Sequence, residues 1–256
     1  MEIKIDTKKS IFENINEIYK KIKELKRKKE KILDVIREKE RELLDIDKNL
    51  EIRKKIVEKK KEKKWYEKFR WMYTSNNFLI IAGKDAITNE ILIRKYLEKN
   101  DLVFHTDIHG SPFGILKNGQ SAQEKDIKEA AKFVASYSRA WKLKLSSVDV
   151  YYVYPDQVSK KAPAGMYLKK GSFMIYGTKN YIKTNLELSI GMKDFEIIVS
   201  LPEIINNITK TYVNIIPGDI KVLEIAKKIG NIFKIDYNYI LPYLPGESYI
   251  SFISNQ

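Results

Sequence analysis

The chain has 256 residues, 43% of them hydrophobic, enough to fill a core, so wholesale disorder is excluded. It contains no cysteine, which excludes disulfides, thiolate metal sites and thiol nucleophiles, and no apolar run reaches the roughly 18 to 20 residues of a membrane-spanning helix. Forty-eight Lys and Arg against 34 Asp and Glu leave +14, a balance suited to a polyanionic partner. The start, Met1-Glu2-Ile3-Lys4-Ile5-Asp6, does not read as a signal peptide, and a cytoplasmic protein without a membrane partner is expected.

Residues 11 to 57 alternate steps of three and four: Ile11, Ile15, Ile18, Ile22, Leu25, Lys29, Ile32, Ile36, Lys39, Leu43, Ile46, Leu50, Arg53 and Val57. A 3.5-residue repeat keeps one apolar stripe facing a partner helix, so a coiled coil is predicted. Lys29, Lys39 and Arg53 weaken the seam, and a homodimer and an intrachain helix partner are equally open. After the charged neck Glu58 to Lys64 the pattern changes to short strands and helices. Strands are expected at 78–82, 102–108 and 113–117, and helices at 87–98, where Asp85 would cap, and at 123–145. Val148 to Tyr154 is rich in β-branched and aromatic residues and stops at Pro155, as a strand should. Strands at 172–176, 186–190 and 195–200 would continue the sheet. A short helix after Pro202, a strand at 212–216 closed by Pro217-Gly218 and a helix over 220–233 would form a small C-terminal appendage. The expected architecture is therefore α+β: a coiled coil over 7–64, a mixed-sheet domain over 65–200, and an α/β appendage over 201–256.

The positive excess is uneven. Residues 1–64 carry 23 basic and 15 acidic side chains, residues 65–200 carry 20 and 14, and the rest carry 5 and 5. From Gln157 to Leu186 there are six lysines (160, 161, 169, 170, 179, 183) and no acid, interleaved with Tyr167, Phe173, Tyr176 and Tyr181. Lysines neutralise phosphates and aromatic faces receive unpaired bases, the chemistry of sequence-tolerant RNA or single-strand binding. The loop from Gln157 through Ser159, Lys160 and Lys161 to Gly165 offers amide, hydroxyl and ammonium donors suited to phosphate and ribose. Lys169, Lys170 and Lys179 would add nonspecific attraction, with Arg139 and His109 as further contacts.

His105, Asp107 and His109 alternate, and on one strand they would share a face and could bind a divalent metal, which leaves a metal-dependent hydrolase open. No further ligand is placed by sequence, neither P-loop nor dinucleotide spacing occurs, and no catalytic residue, cofactor or metal is assigned. The charge also fits a stand-alone nucleic-acid binder, and the seam fits a coiled-coil scaffold.

Six motifs taken together resemble the NFACT-R domain of the NEMF/RqcH family of ribosome-associated quality control factors. They are Trp65-Tyr66-Glu67-Lys68-Phe69-Arg70-Trp71; Gly83-Lys84-Asp85-Ala86 with Asn89-Glu90; Val103 to Gly110; Ser136-Tyr137-Ser138-Arg139-Ala140-Trp141; Gln157-Val158-Ser159-Lys160; and Gly171 to Ile175. Asp6 to Asn14 is similar to the entry into that family's coiled coil. The resemblance implies a non-enzymatic factor that binds the obstructed large ribosomal subunit and tRNA and promotes mRNA-independent tailing of the stalled chain. It also implies further N-terminal domains, so a C-terminal fragment or a short stand-alone relative is expected. The family's pattern is altered at Lys161, Met166 and Tyr176, where Thr, an acid and Arg are common, and contacts there are the least transferable.

Overall fold

The computed structural model describes residues 7–59, 64–161 and 167–254. The chain divides into two compact units, Met1–Lys54 and Lys55–Gln256. Helix α1 spans Ile11–Lys59, most of it in the first unit. A Ser-x-x-Glu box starts it: the Ser10 amide donates to Glu13 Oε2 at 2.8 Å and the Glu13 amide donates to Ser10 Oγ at 3.2 Å. Ile11, Ile15, Ile22, Leu25, Ile32 and Ile36 of the predicted seam are exposed along it. The side chains of Leu43, Ile46, Leu50, Arg53 and Val57 lie outside the described residues, as do neck residues 60–63 and loop residues 162–166.

The second unit is α+β, as expected, and its sheets are antiparallel throughout. The strands are β1 (Arg70–Tyr73), β2 (Leu79–Ala82), β3 (Leu102–Thr106), β4 (Gly114–Leu116), β5 (Ser147–Val153), β6 (Val158–Ser159), β7 (Met174–Ile175), β8 (Asn180–Asn185), β9 (Leu188–Lys193), β10 (Glu196–Ser200), β11 (Thr211–Ile220) and β12 (Ser248–Ser254). The helices are α2 (Ala86–Ile91), α3 (Glu124–Ser136), α4 (Arg139–Lys142), α5 (Pro202–Ile205) and α6 (Val222–Phe233). Six strands form a sheet in the order β1-β2-β4-β3-β5-β8, four form a second in the order β10-β9-β11-β12, and β6 and β7 make a hairpin.

Alternation along the strands divides the first sheet's side chains between two faces. On one, Val103, Ile115, Tyr151 and Val153 pack with Phe69, Leu92 and Phe113. Facing α3, Gly114 is required by the fit: a Cβ there would lie 2.4 Å from Val134 Cγ2.

Several expected boundaries move. The helix expected over 123–145 breaks, because the Ser138 hydroxyl accepts from the Ala140 amide at 3.1 Å and starts α4. The helix expected over 87–98 is α2 followed by a π-helical turn, Leu92–Tyr96, with Asp85 capping as predicted. Strands expected at 186–190 and 195–200 do not continue the first sheet; as β9 and β10 they pair with each other and, through β9, with β11. The second sheet thus takes strands from both sides of residue 200. Pro217 does not close β11, since it lies past the last residue paired with β9 and the strand runs on through a bulge to Ile220.

Candidate nucleic-acid interface

After β5 the chain makes one 3-10 turn, Pro155–Gln157, and enters the β6–β7 hairpin. Gln157 ties the base of this hairpin together. Its Oε1 accepts from the Tyr154 amide at 2.9 Å, and its Nε2 donates to the carbonyls of Tyr176 (2.8 Å) and Thr178 (3.0 Å). Ser159 Oγ accepts from the Lys161 amide at 3.0 Å. Both polar side chains singled out in this loop are thus engaged with its own backbone.

Lys160 faces inward. Its Nζ donates to Glu90 Oε2 at 2.8 Å and to the carbonyls of Ser172 (3.0 Å) and Lys169 (3.2 Å), and it lies 4.8 Å from the centre of the Phe173 ring. Lys161, one residue on, is exposed, and its carbonyl accepts from the Tyr176 hydroxyl at 3.1 Å. Lys169 and Lys170 are exposed, and Tyr167 is 87% exposed, an aromatic face open to solvent beside cations.

A second corner gathers around Asp107. Lys179 Nζ donates to its Oδ1 at 2.7 Å and the Tyr181 hydroxyl to its Oδ2 at 2.8 Å, with the Lys179 ammonium 4.2 Å from the centre of the Tyr151 ring. Burial raises the Asp107 carboxyl, but those two hydrogen bonds and the Lys179 charge outweigh it and hold the group below its ordinary range. Desolvation likewise works against the Lys179 ammonium, and the Asp107 partner raises it overall. Tyr181 and Lys183 share the exposed side of edge strand β8. His109 and Arg139 are both exposed and border one another through Gly110, where a Cβ would lie 3.9 Å from Arg139 Cδ. Hydrogen bonds link Lys161, Tyr176, Gln157 and Thr178, and Lys179 with its partner Asp107 follows Thr178 directly in sequence.

The metal-binding geometry does not form. β3 ends at Thr106, so residues 105, 107 and 109 are not on one strand face. His105 turns inward against Phe113, ring centres 4.3 Å apart, with Nε2 3.2 Å from the Ser111 carbonyl oxygen and Nδ1 3.4 Å from the Tyr151 hydroxyl. Burial lowers its pKa to about 4. Asp107 is held by Lys179 and Tyr181 while His109 stays at the surface. Among the described residues no three His, Asp or Glu side chains are grouped to hold an ion, and no helix is long and apolar enough to cross a membrane.

Reading from the sequence missed Glu90, whose carboxylate accepts from Lys160, from the Gly171 amide (2.8 Å) and from Arg94 Nε (2.7 Å). Its only sequence signal is its place in the motif with Asn89; nothing local ties it to residues 70 and 81 positions away.

Residues 68–177 match the family model described as the NFACT protein RNA binding domain. The chain is 43% identical over 206 residues to the archaeal Rqc2 homolog aRqcH of Methanocaldococcus jannaschii, covering 77% of this chain and 30% of that protein. It is 40% identical over 128 residues to the human ribosome quality control complex subunit NEMF, covering 49% of this chain and 12% of that protein. The chain thus spans less than a third of the length of these curated relatives. A solved structure, the C-terminal part of the fibronectin/fibrinogen-binding protein from Streptococcus suis, matches with a TM-score of 0.41 at 21% identity, over 53% of this chain and 55% of that one.

Proposed function

From a chain whose residues 68–177 are an NFACT RNA-binding domain, and whose relatives are ribosome quality control factors, we propose the RNA-binding part of such a factor. It binds the RNA of obstructed large ribosomal subunits and tRNA, in the cytoplasm, and thereby promotes mRNA-independent tailing of the stalled chain. Peptide-bond chemistry belongs to the ribosome, and this chain contributes positioning rather than catalysis.

The observation that carries this reading is the border of exposed cations and tyrosine rings within the matched domain. Lys161, Lys169 and Lys170 neutralise phosphates, with Tyr167 offering a stacking face. Lys179, Arg139 and His109 extend the contact, while Gln157, Ser159 and Lys160 shape the loop. The open seam of α1 takes a second helix, from another copy or from elsewhere in a longer chain.

The test is co-sedimentation with purified large subunits across increasing salt, beside a variant carrying Lys161→Glu, Lys169→Glu and Lys170→Glu. Neutralising three phosphates contributes about −2 to the logarithmic salt slope, so the variant should bind at least about tenfold more weakly with a shallower slope. Equal binding by both proteins at every salt concentration would remove these lysines from the contact.

A further inference from the structure

Resting on the RNA-binding reading, we propose that Glu90 is a positioning residue for the contact loop: it holds Lys160 and Gly171 in place, so that this acid strengthens RNA binding. The usual expectation is the reverse, since a carboxylate near a phosphate-binding surface repels the ligand.

The geometry behind this is local and complete. A lysine ammonium has three N–H donors. Those of Lys160 meet Glu90 Oε2, the Lys169 carbonyl and the Ser172 carbonyl at 2.8, 3.2 and 3.0 Å, which leaves none for a phosphate. The same Glu90 oxygen accepts from the Gly171 amide, so one carboxylate grips the loop where it leaves β6 and again where it returns to β7. Glu90 stands on α2, whose start is fixed by the Asp85–Thr88 capping box, and Arg94 holds its other oxygen. The Glu90 side chain is only 15% exposed and that of Lys160 29%, so water competes weakly for the pair. Burial by itself would raise the Glu90 carboxyl, but its partners Lys160, Gly171 and Arg94 prevail and hold it below its ordinary range. Gly171 completes the fit: its φ is +76°, and a Cβ there would lie 2.5 Å from the Ala86 carbonyl oxygen. The loop therefore rests directly on the first turn of α2, and this seating sets where Lys161, Lys169 and Lys170 stand.

The prediction separates Lys160 from its neighbour. Against purified large subunits, Glu90→Gln should lose about tenfold in affinity, the scale of a charge-assisted hydrogen bond, although it makes the protein more positive. Lys160→Met should lose a similar factor with an unchanged salt slope, because no phosphate contact disappears, whereas Lys161→Met should make the slope shallower by about 0.7. Exchange of the Gly171 amide, followed by NMR without RNA, should quicken in Glu90→Gln, and thermal unfolding checks that each variant remains folded. Binding by Glu90→Gln that equals or exceeds that of the parent would overturn the proposal, as would a Lys160→Met slope reduced like that of Lys161→Met. If the parent shows no salt-dependent binding, the RNA reading fails, and Gly171 exchange still decides whether the clamp exists.

Discussion

Two lysine–carboxylate pairs lie along the same border and use the same chemistry for different ends. Lys160 and Glu90 are 2.8 Å apart and mostly enclosed; Lys179 and Asp107 are 2.7 Å apart, yet the Asp107 side chain is 56% exposed. The enclosed pair spends every ammonium donor on protein oxygens, and losing either partner strands the other in a poorly hydrated site. In the second pair Lys179 is as enclosed as Lys160, 30% against 29% exposed, but its ammonium has one carboxylate partner, Asp107, and that carboxylate faces water, so exchanging it for another anion costs less. Neither the distance nor the exposure of the lysine separates the two pairs; the exposure of the carboxylate and the number of ammonium partners do.

Three experiments would break or sharpen this contrast. The largest effect concerns the floor of the exposed corner, where His105 lies beneath Asp107, Lys179 and Tyr151. Its folded pKa of about 4 is below the unfolded 6.5, so its contribution is fully present above pH 6.5 and is lost as pH falls toward 4. That loss should approach about 3 kcal/mol, read as the difference in denaturant stability between neutral and acid pH for the parent and for His105→Gln. Equal pH dependence in the two proteins would show that the corner has no buried neutral imidazole at its base.

Next, Gly171→Ala should cost about 2 kcal/mol, because it forces a side chain into a left-handed conformation against the Ala86 carbonyl. Chemical denaturation measures it, and an unchanged midpoint would mean that the loop is not seated on α2. The smallest effect should come from Asp107→Asn. Stability should shift by less than about 1 kcal/mol, as exposed ion pairs do, while RNA affinity rises by about threefold as Lys179 is released. Glu90→Gln removes the same unit of charge and is expected to move affinity the other way. If both variants tightened binding, the two pairs would be equivalent and the contrast would collapse.

Elements with strong internal periodicity were readable in advance. The three-four seam over 11–57 marks α1, and Val148 to Tyr154 marks β5 to within one residue at each end. Of the sheet-edge strands, β10 was read at 195–200 but β1, β8 and β12 were not: β8 has only Ile182 as an aliphatic residue among polar neighbours, because one of its faces is open to water. β1 was hidden within an aromatic motif, and β12 was overlooked although Tyr249, Ile250, Phe252 and Ile253 lie in it. The break between α3 and α4 depended on the Ser138 hydroxyl capping forward, a choice that the run Ser136-Tyr137-Ser138 does not display. At the interface, the acid-free lysine stretch was visible as composition, but the partners that engage two of its lysines come from outside it.

By itself, the sequence determined the charge pattern and many of the local elements: net charge, an acid-free stretch with interleaved tyrosines, and a heptad stripe are properties of residue order and periodicity. Only the tertiary structure decided which lysine donors are already engaged by protein oxygens. Lys160 and Lys161 are adjacent and chemically identical, and they differ because Glu90 stands 70 residues away in sequence but 2.8 Å away in space from one of them. A lysine's charge is intrinsic to its side chain; whether that charge is already satisfied depends on chain segments brought together by folding.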